Sequence, residues 1–256
     1  MTDQRPAAEG VAPGTAVPSP VGNGHAVACP RRVRGLLEGE TFVDTRSAWY
    51  GWEHPWYPQF HIPDADIDTG RLAATGESVS NALGRFELHD LVAAAGKKPA
   101  AARQLLEPAG ELPAGMWFVE WTALDAWYEE DEPVYSHPRS PYVRVDAIRA
   151  SRALDVRFGD MVIAEANSVV EVFETGLPVR HYFDPTAVNW ATLSPSETTA
   201  VCPYKGFTSG YWTMTEDDQR RDVAWSYGFP TRELAPIAGL VCFDDSIVEI
   251  TEREPG

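Results

Sequence analysis

"GDMVIAEANSVVEVFETGLPVRHYFDPTAV" (residues 159–188) reads as a second version of "GETFVDTRSAWYGWEHPWYPQFHIPDADI" (39–67), and that likeness decides the fold. Each stretch opens with Gly and an acid at a tight turn. Each then runs through an apolar strand to an acid and a Ser, and continues into a second strand. Ser47 and Ser168 are 121 residues apart, and so are Glu53 and Glu174. His61-Ile62-Pro63 faces Tyr182-Phe183-Asp184 in the same register. The closing segments match as well, "AGMWFVEWTALDAWYEE" (114–130) against "AGLVCFDDSIVEITERE" (238–254). A period near 120 residues is too long for a solenoid and fits a duplicated small domain.

Short β-branched or aromatic runs bounded by Gly, Pro, Asp or Ser fill both copies: "TFVDT", "MVIAEA", "VVEVFE", "RHYFD", "SGYWTM", "DVAWSY" and "GLVCF". Ala, Leu and charged residues dominate "ELHDLVAAAGKKPAAARQLLE" (87–107), which predicts a helical insertion in the first copy, interrupted at Gly96 and Pro99. The expected architecture is mainly β, as two tandem, strongly bent antiparallel modules. A disordered tail spans residues 1–30, a degenerate first module 31–135, a connector 136–152 and a motif-bearing second module 153–254. Within the connector, Val143, Val145 and Ile148 alternate as in a strand. The repeat further predicts that the modules pack as a pseudo-dimer, giving a monomer or a weak homodimer.

Charge and cysteine usage narrow the function. A formal net charge of −17 disfavours nucleic acid and anionic lipid, both of which need a basic face. No segment has the apolar length of a membrane span, and the start of the chain has no apolar run of the signal-peptide kind. Cys29, Cys202 and Cys242 lie far apart, which excludes a thiolate zinc cage and a disulfide framework and suits a reducing cytoplasm. No metal and no cofactor is expected. Glu53, His54 and His61, with Asp64 and Asp66 nearby, match no ligand spacing and read as structural. The acid run Glu129-Glu130-Asp131-Glu132 reads as a solvated edge.

The motifs "WEHPWYPQFHIP", "DAWYEEDE", "HPRSPYVRVD", "FETGLPVRHYFDP", "CPYKG", "VAWSY" and "APIAGLVCF", in that order between Arg32 and Glu252, resemble the tandem form of the domain of unknown function 427 family. The resemblance implies a compact, bent β-fold of the β-tent kind, built twice. β-Tent relatives often carry a cysteine zinc site, whose cysteines this chain lacks. A nucleotidyltransferase label attached to the family finds no acidic metal-binding pair beside a Gly-rich phosphate loop here.

"CPYKG" (202–206) is the candidate site. Pro203 and Gly206 shape a turn that can aim the Lys205 ammonium at an anionic ligand group, or at Glu174 as a structural partner. Lys205, Tyr204 and Tyr227 are the candidate catalytic or orienting groups. Trp225, Trp212, His181, Tyr182, Glu174 and Cys202 are the expected wall of an aromatic-lined pocket in the second module. Cys202 has no His at fixed spacing to activate it. The first copy carries "NALGRFE" where the second has "CPYKG", which leaves Arg85 as the nearest stand-in for Lys205. The expected function is binding of a small anionic or polar ligand, with or without catalysis. The alternative is a non-catalytic structural or protein-interaction module.

Overall fold

The computed structural model describes residues 21–216 and 221–253. The described residues divide into two compact units, one within Ser19–Tyr142 and one within Val143–Gly256. Both are mainly β, with short 3₁₀ turns between strands. Among the described residues no helix is long and apolar enough to cross a membrane.

The first unit carries strands β1 (Ala26–Ala28), β2 (Val33–Leu37), β3 (Glu40–Thr45), β4 (Trp49–Gly51), β5 (Gln59–His61) and β6 (Leu72–Asn81). It continues with β7 (Gly84–Ala93), β8 (Gly96–Pro108), β9 (Trp117–Val119), β10 (Ala126–Glu129) and β11 (Glu132–Val134). They form three antiparallel sheets in the orders β1-β4-β5, β11-β10-β2-β3 and β6-β7-β8-β9. A bridge between Ile62 and Trp117 joins the first of these to the third. Val33 and Leu37 point inward and the residues between them alternate, as a half-buried strand requires. The β2–β3 turn is two residues long, and both Glu38 (φ 57°) and Gly39 (φ 78°) are left-handed, the conformation that matches hairpin twist.

The second unit carries β12 (Val145–Ala150), β13 (Leu154–Phe158), β14 (Met161–Ala166), β15 (Val169–Glu174), β16 (Arg180–Phe183) and β17 (Leu193–Ser196). It ends with β18 (Val201–Cys202), β19 (Gly206–Phe207), β20 (Gly210–Met214), β21 (Asp222–Ser226), β22 (Val241–Phe243) and β23 (Glu249–Glu252). Its main sheet has the order β12-β15-β16-β22-β21-β20-β17, beside β14-β13-β23 and the small hairpin β18-β19.

Registers in the two units coincide at a fixed offset of 121 residues. Trp49, Tyr50 and Gly51 face His61, Phe60 and Gln59, and Val170, Glu171 and Val172 face Tyr182, His181 and Arg180. β2–β3 and β13–β14 pair identically at that offset, down to a β-bulge between Gly35 and Leu36 in one and between Val156 and Arg157 in the other. The lone bridges Val43–Ile67 and Ala164–Val188 also correspond.

Four expectations are corrected. Residues 87–107 are not helical: they lie in β7 and β8, a long hairpin whose Phe86, Leu91, Ala102 and Leu105 are buried. Burial on one sheet face overrides the helical preference of Ala and Leu there. The tail reading fails beyond residue 20, because Ala26–Ala28 pair with β4 and Val21, Ala26 and Cys29 are buried; residues 1–20 lie outside the described residues. Residues 145–150 are not connector but β12, paired along its length with β15. Glu129 is not a solvated edge residue: it is buried, accepts a hydrogen bond from the Tyr50 hydroxyl at 3.2 Å and pairs with Arg31.

Candidate functional site

In the second unit, Lys205 sits in the turn between β18 and β19, with Gly206 at φ 93°. The Thr231 side chain donates to the Tyr204 carbonyl at 2.6 Å, and the Thr231 amide donates to that of Lys205 at 3.2 Å. This brings the lysine inward to 7% exposure, where its ammonium donates to the Glu174 carboxylate. Burial alone would push the Lys205 pKa down, but the charge of Glu174 outweighs it and leaves it raised. Lys205 is therefore a held ammonium rather than a neutral amine.

Around this pair the structure gathers Cys202, Tyr182, Tyr227 and Trp225. Tyr182, Tyr227 and Cys242 share one buried cluster with Val170, Val172, Leu234 and Ile237, and Trp225 packs against it. Burial raises the pKa of both phenols, so each is a neutral hydroxyl at physiological pH. The Tyr182 hydroxyl makes no hydrogen bond of full geometry; the Trp225 indole approaches without completing one. Trp212 belongs elsewhere, packed on the other core cluster and edge-on to Trp190 at 5.1 Å. Consecutive strand residues face opposite ways, and His181 accordingly meets Glu171 at 3.4 Å while Tyr182 is buried. Tyr204 is half-buried. An open groove of about 310 Å³ lies against Glu174, between Arg144, Asp146, Phe173 and Val179.

The first unit holds a pocket that sequence reasoning passed over, with a volume of about 250 Å³. Glu53, His54, Tyr57 and Phe60, from the segment around β5, line it together with Arg103 of β8 and Glu120, Trp121 and Trp127. Arg103, in β8, pairs with Glu53, and both side chains are less than a fifth exposed. Its guanidinium lies 3.9 Å over the Phe118 ring, and a second nitrogen is 3.9 Å from Glu120. Arg85 does not take the place of Lys205; it pairs with Glu107 at 2.6 Å on the exposed part of the β7–β8 hairpin. The cation that meets Glu53 is Arg103.

Aromatic rings complete the wall. Trp121 and Trp127 stack at 5.3 Å, Phe60 lies 5.7 Å from Trp127, and Tyr57 stacks on His137 at 4.0 Å. Burial lowers the pKa of His54, whose Nε2 meets Gln59 at 2.9 Å. Burial raises that of Glu120, with Arg103 opposing and Glu53 adding to the rise. Beside the pocket, His61 is fully buried between Phe86 and Phe118, and neither ring nitrogen has a partner among the described residues. Burial, with help from Arg103, pushes its pKa down to about 3. Among the described residues no three His, Cys, Asp or Glu side chains converge as metal ligands. The sequence signal for this pocket was "WEHPWYPQF", dense in rings and beginning beside the acid that repeats as Glu174.

Residues 146–254 match the family described as Domain of unknown function (DUF427). The match spans nearly all of the second unit. No curated protein matches the chain.

Proposed function

We propose that the chain is a small-molecule-binding protein built from two copies of one β module, with its ligand in the pocket of the first unit. The observation that carries this reading is the cavity of about 250 Å³ in which a largely covered Arg103–Glu53 pair meets stacked aromatic rings. Concave, largely apolar sites with a few convergent polar groups are the usual form of a small-molecule site. The common registers at an offset of 121 support the duplication. In the second unit the corresponding acid, Glu174, is paired with Lys205 beside a shallower, more open groove, so the enclosed pocket of the first unit is preferred as the site. Three buried free thiols support a reducing, cytoplasmic setting, and the protein is read as a monomer or weak homodimer.

The test is a fragment screen by ligand-observed NMR on the full chain and on Trp121→Ala. The reading expects weak polar aromatic fragments that bind the natural chain and are lost from the variant. Hits that survive Trp121→Ala unchanged, or no hits at all, would remove it.

A second reading, a protein-contact module, draws on Phe229, which is 95% exposed, with Phe207 on the same unit at 55%. The two lie on neighbouring turns, since a Cβ on Gly206 would stand 3.5 Å from the Phe229 carbonyl oxygen, and exposed apolar groups that cluster in this way mark contact surfaces. Sedimentation of Phe229→Ser checks it: an unchanged profile across a wide concentration range counts against self-association through that face.

A further inference from the structure

The wall of the first-unit pocket points to a ligand opposite in sign to the one "CPYKG" suggested. Two carboxylates, Glu53 and Glu120, face it with a single guanidinium. Arg103 is already engaged by Glu53, and Glu120 stands 3.9 Å from it with about half of its side chain exposed. One carboxylate is thus in excess, while His54 is kept neutral by its burial. The same wall carries the rings of Phe60, Trp121 and Trp127, which pack on one another beside the acids. Electron-rich ring faces attract cations, most strongly when the site is partly desolvated. The unit already uses this interaction, with Arg103 lying over Phe118 at 3.9 Å and Arg34 over Tyr128 at 5.3 Å.

An anion entering here would meet the excess carboxylate and find Arg103 spoken for. A neutral ligand would cover Glu120 without supplying a counter-charge, which leaves a desolvated acid unpaired. An ammonium group satisfies the acid and the rings at once. The field of the whole chain, at −17, draws cations toward any such opening.

We propose that the pocket of the first unit binds a small organic cation of the arylalkylammonium class, with Glu120 as its counter-ion and Trp121 and Trp127 as its aromatic wall. This rests on the small-molecule reading above and adds the sign and class of the ligand.

The experiment titrates the full chain, at neutral pH and low salt, with phenethylammonium, phenethyl alcohol and 3-phenylpropionate, probes that differ mainly in charge. Tryptophan fluorescence and NMR shifts report binding. The ammonium should bind at least about ten-fold more tightly than the alcohol, and the carboxylate should not saturate. Glu120→Gln, at a half-exposed position, should weaken the ammonium about ten-fold and leave the alcohol unchanged. Equal or tighter binding of the alcohol or the carboxylate overturns the cation assignment while leaving a small-molecule pocket standing. An unchanged ammonium affinity in Glu120→Gln overturns the assigned counter-ion. No binding by any probe overturns this inference and the reading beneath it.

Discussion

Glu53 and Glu174 stand 121 residues apart at the same place in their hairpins, and each is met by a cation from a different part of its unit. Arg103 comes from β8, whereas Lys205 comes from the turn between β18 and β19. The sheet position is not shared: Arg103 faces Phe118, while the corresponding pair in the second unit is Trp225 and Cys242. One acid is thus neutralised in two ways, and the difference decides how much room remains. A guanidinium in the sheet leaves a cavity above it; an ammonium tucked beneath its own turn leaves an open groove.

The Lys205–Glu174 pair sets the first prediction. Lys205→Met keeps most of the stem but strands a buried carboxylate, which should cost about 3–5 kcal/mol. Lys205→Met combined with Glu174→Leu should recover most of that, since a buried pair is often replaceable by apolar residues. Urea melts of both single variants and the double variant measure the coupling. Near-neutral loss in Lys205→Met alone would show that the pair contributes nothing.

His61 predicts an acid limb. Its folded pKa of about 3 lies below the ordinary imidazole value, so the unfolded chain takes up a proton first as pH falls. Stability from this group is fully present above about pH 6.5 and declines toward pH 3 at up to about 1.4 kcal/mol per pH unit. His54 and His181 are lowered by burial as well and add to the same limb. Denaturation midpoints across that range should fall less steeply in His61→Leu. An identical slope would mean that the ring is protonated in the folded protein.

Backbone crowding separates two glycines. A Cβ on Gly84 (φ 143°) would lie 2.2 Å from the Glu107 carbonyl oxygen, whereas one on Gly76 (φ 80°) would meet nothing within 4 Å. Gly76→Ala should cost about 1–2 kcal/mol for the left-handed backbone alone. Gly84→Ala should cost clearly more, because β7 and β8 must separate to admit the methyl. Comparable melting temperatures for the two variants would contradict the register drawn here.

Thiol chemistry gives the fourth. Cys29, Cys202 and Cys242 are free and buried, and burial pushes the Cys242 pKa up to about 12. Ellman's reagent should react with none of them in the native chain over minutes and with all three after denaturation. Rapid labelling of Cys202 in the native state would place its turn in an open conformation.

The sequence carried the β class and the 121-residue offset, because these rest on alternation, turn residues and spacing; it named Glu174 only as the alternative partner of a Lys205 aimed at a ligand. It misled where composition and burial disagree. The alanines and leucines of 87–107 prefer a helix in isolation, and only the sheet they face converts them into β7 and β8. The partner that closes the first-unit pocket was illegible for a related reason. Arg103 lies fifty residues from Glu53 and inside the segment assigned to a helix, so no local spacing could bring the two together. Strict alternation also fails at the bulges, where Phe42 and Val43, like Ile163 and Ala164, are adjacent and all buried.

Those bulges make chain length itself a constraint. Phe42 and Ile163 are the unpaired extra residues of their hairpins. Losing either one would restore a regular ladder and, in doing so, turn every residue beyond it to the opposite face of the sheet. Exchanges of side chain at these points ask only for a new fit. A single-codon deletion asks each hairpin to turn inside out, so insertions and deletions should be purged from these two strands far more strictly than substitutions.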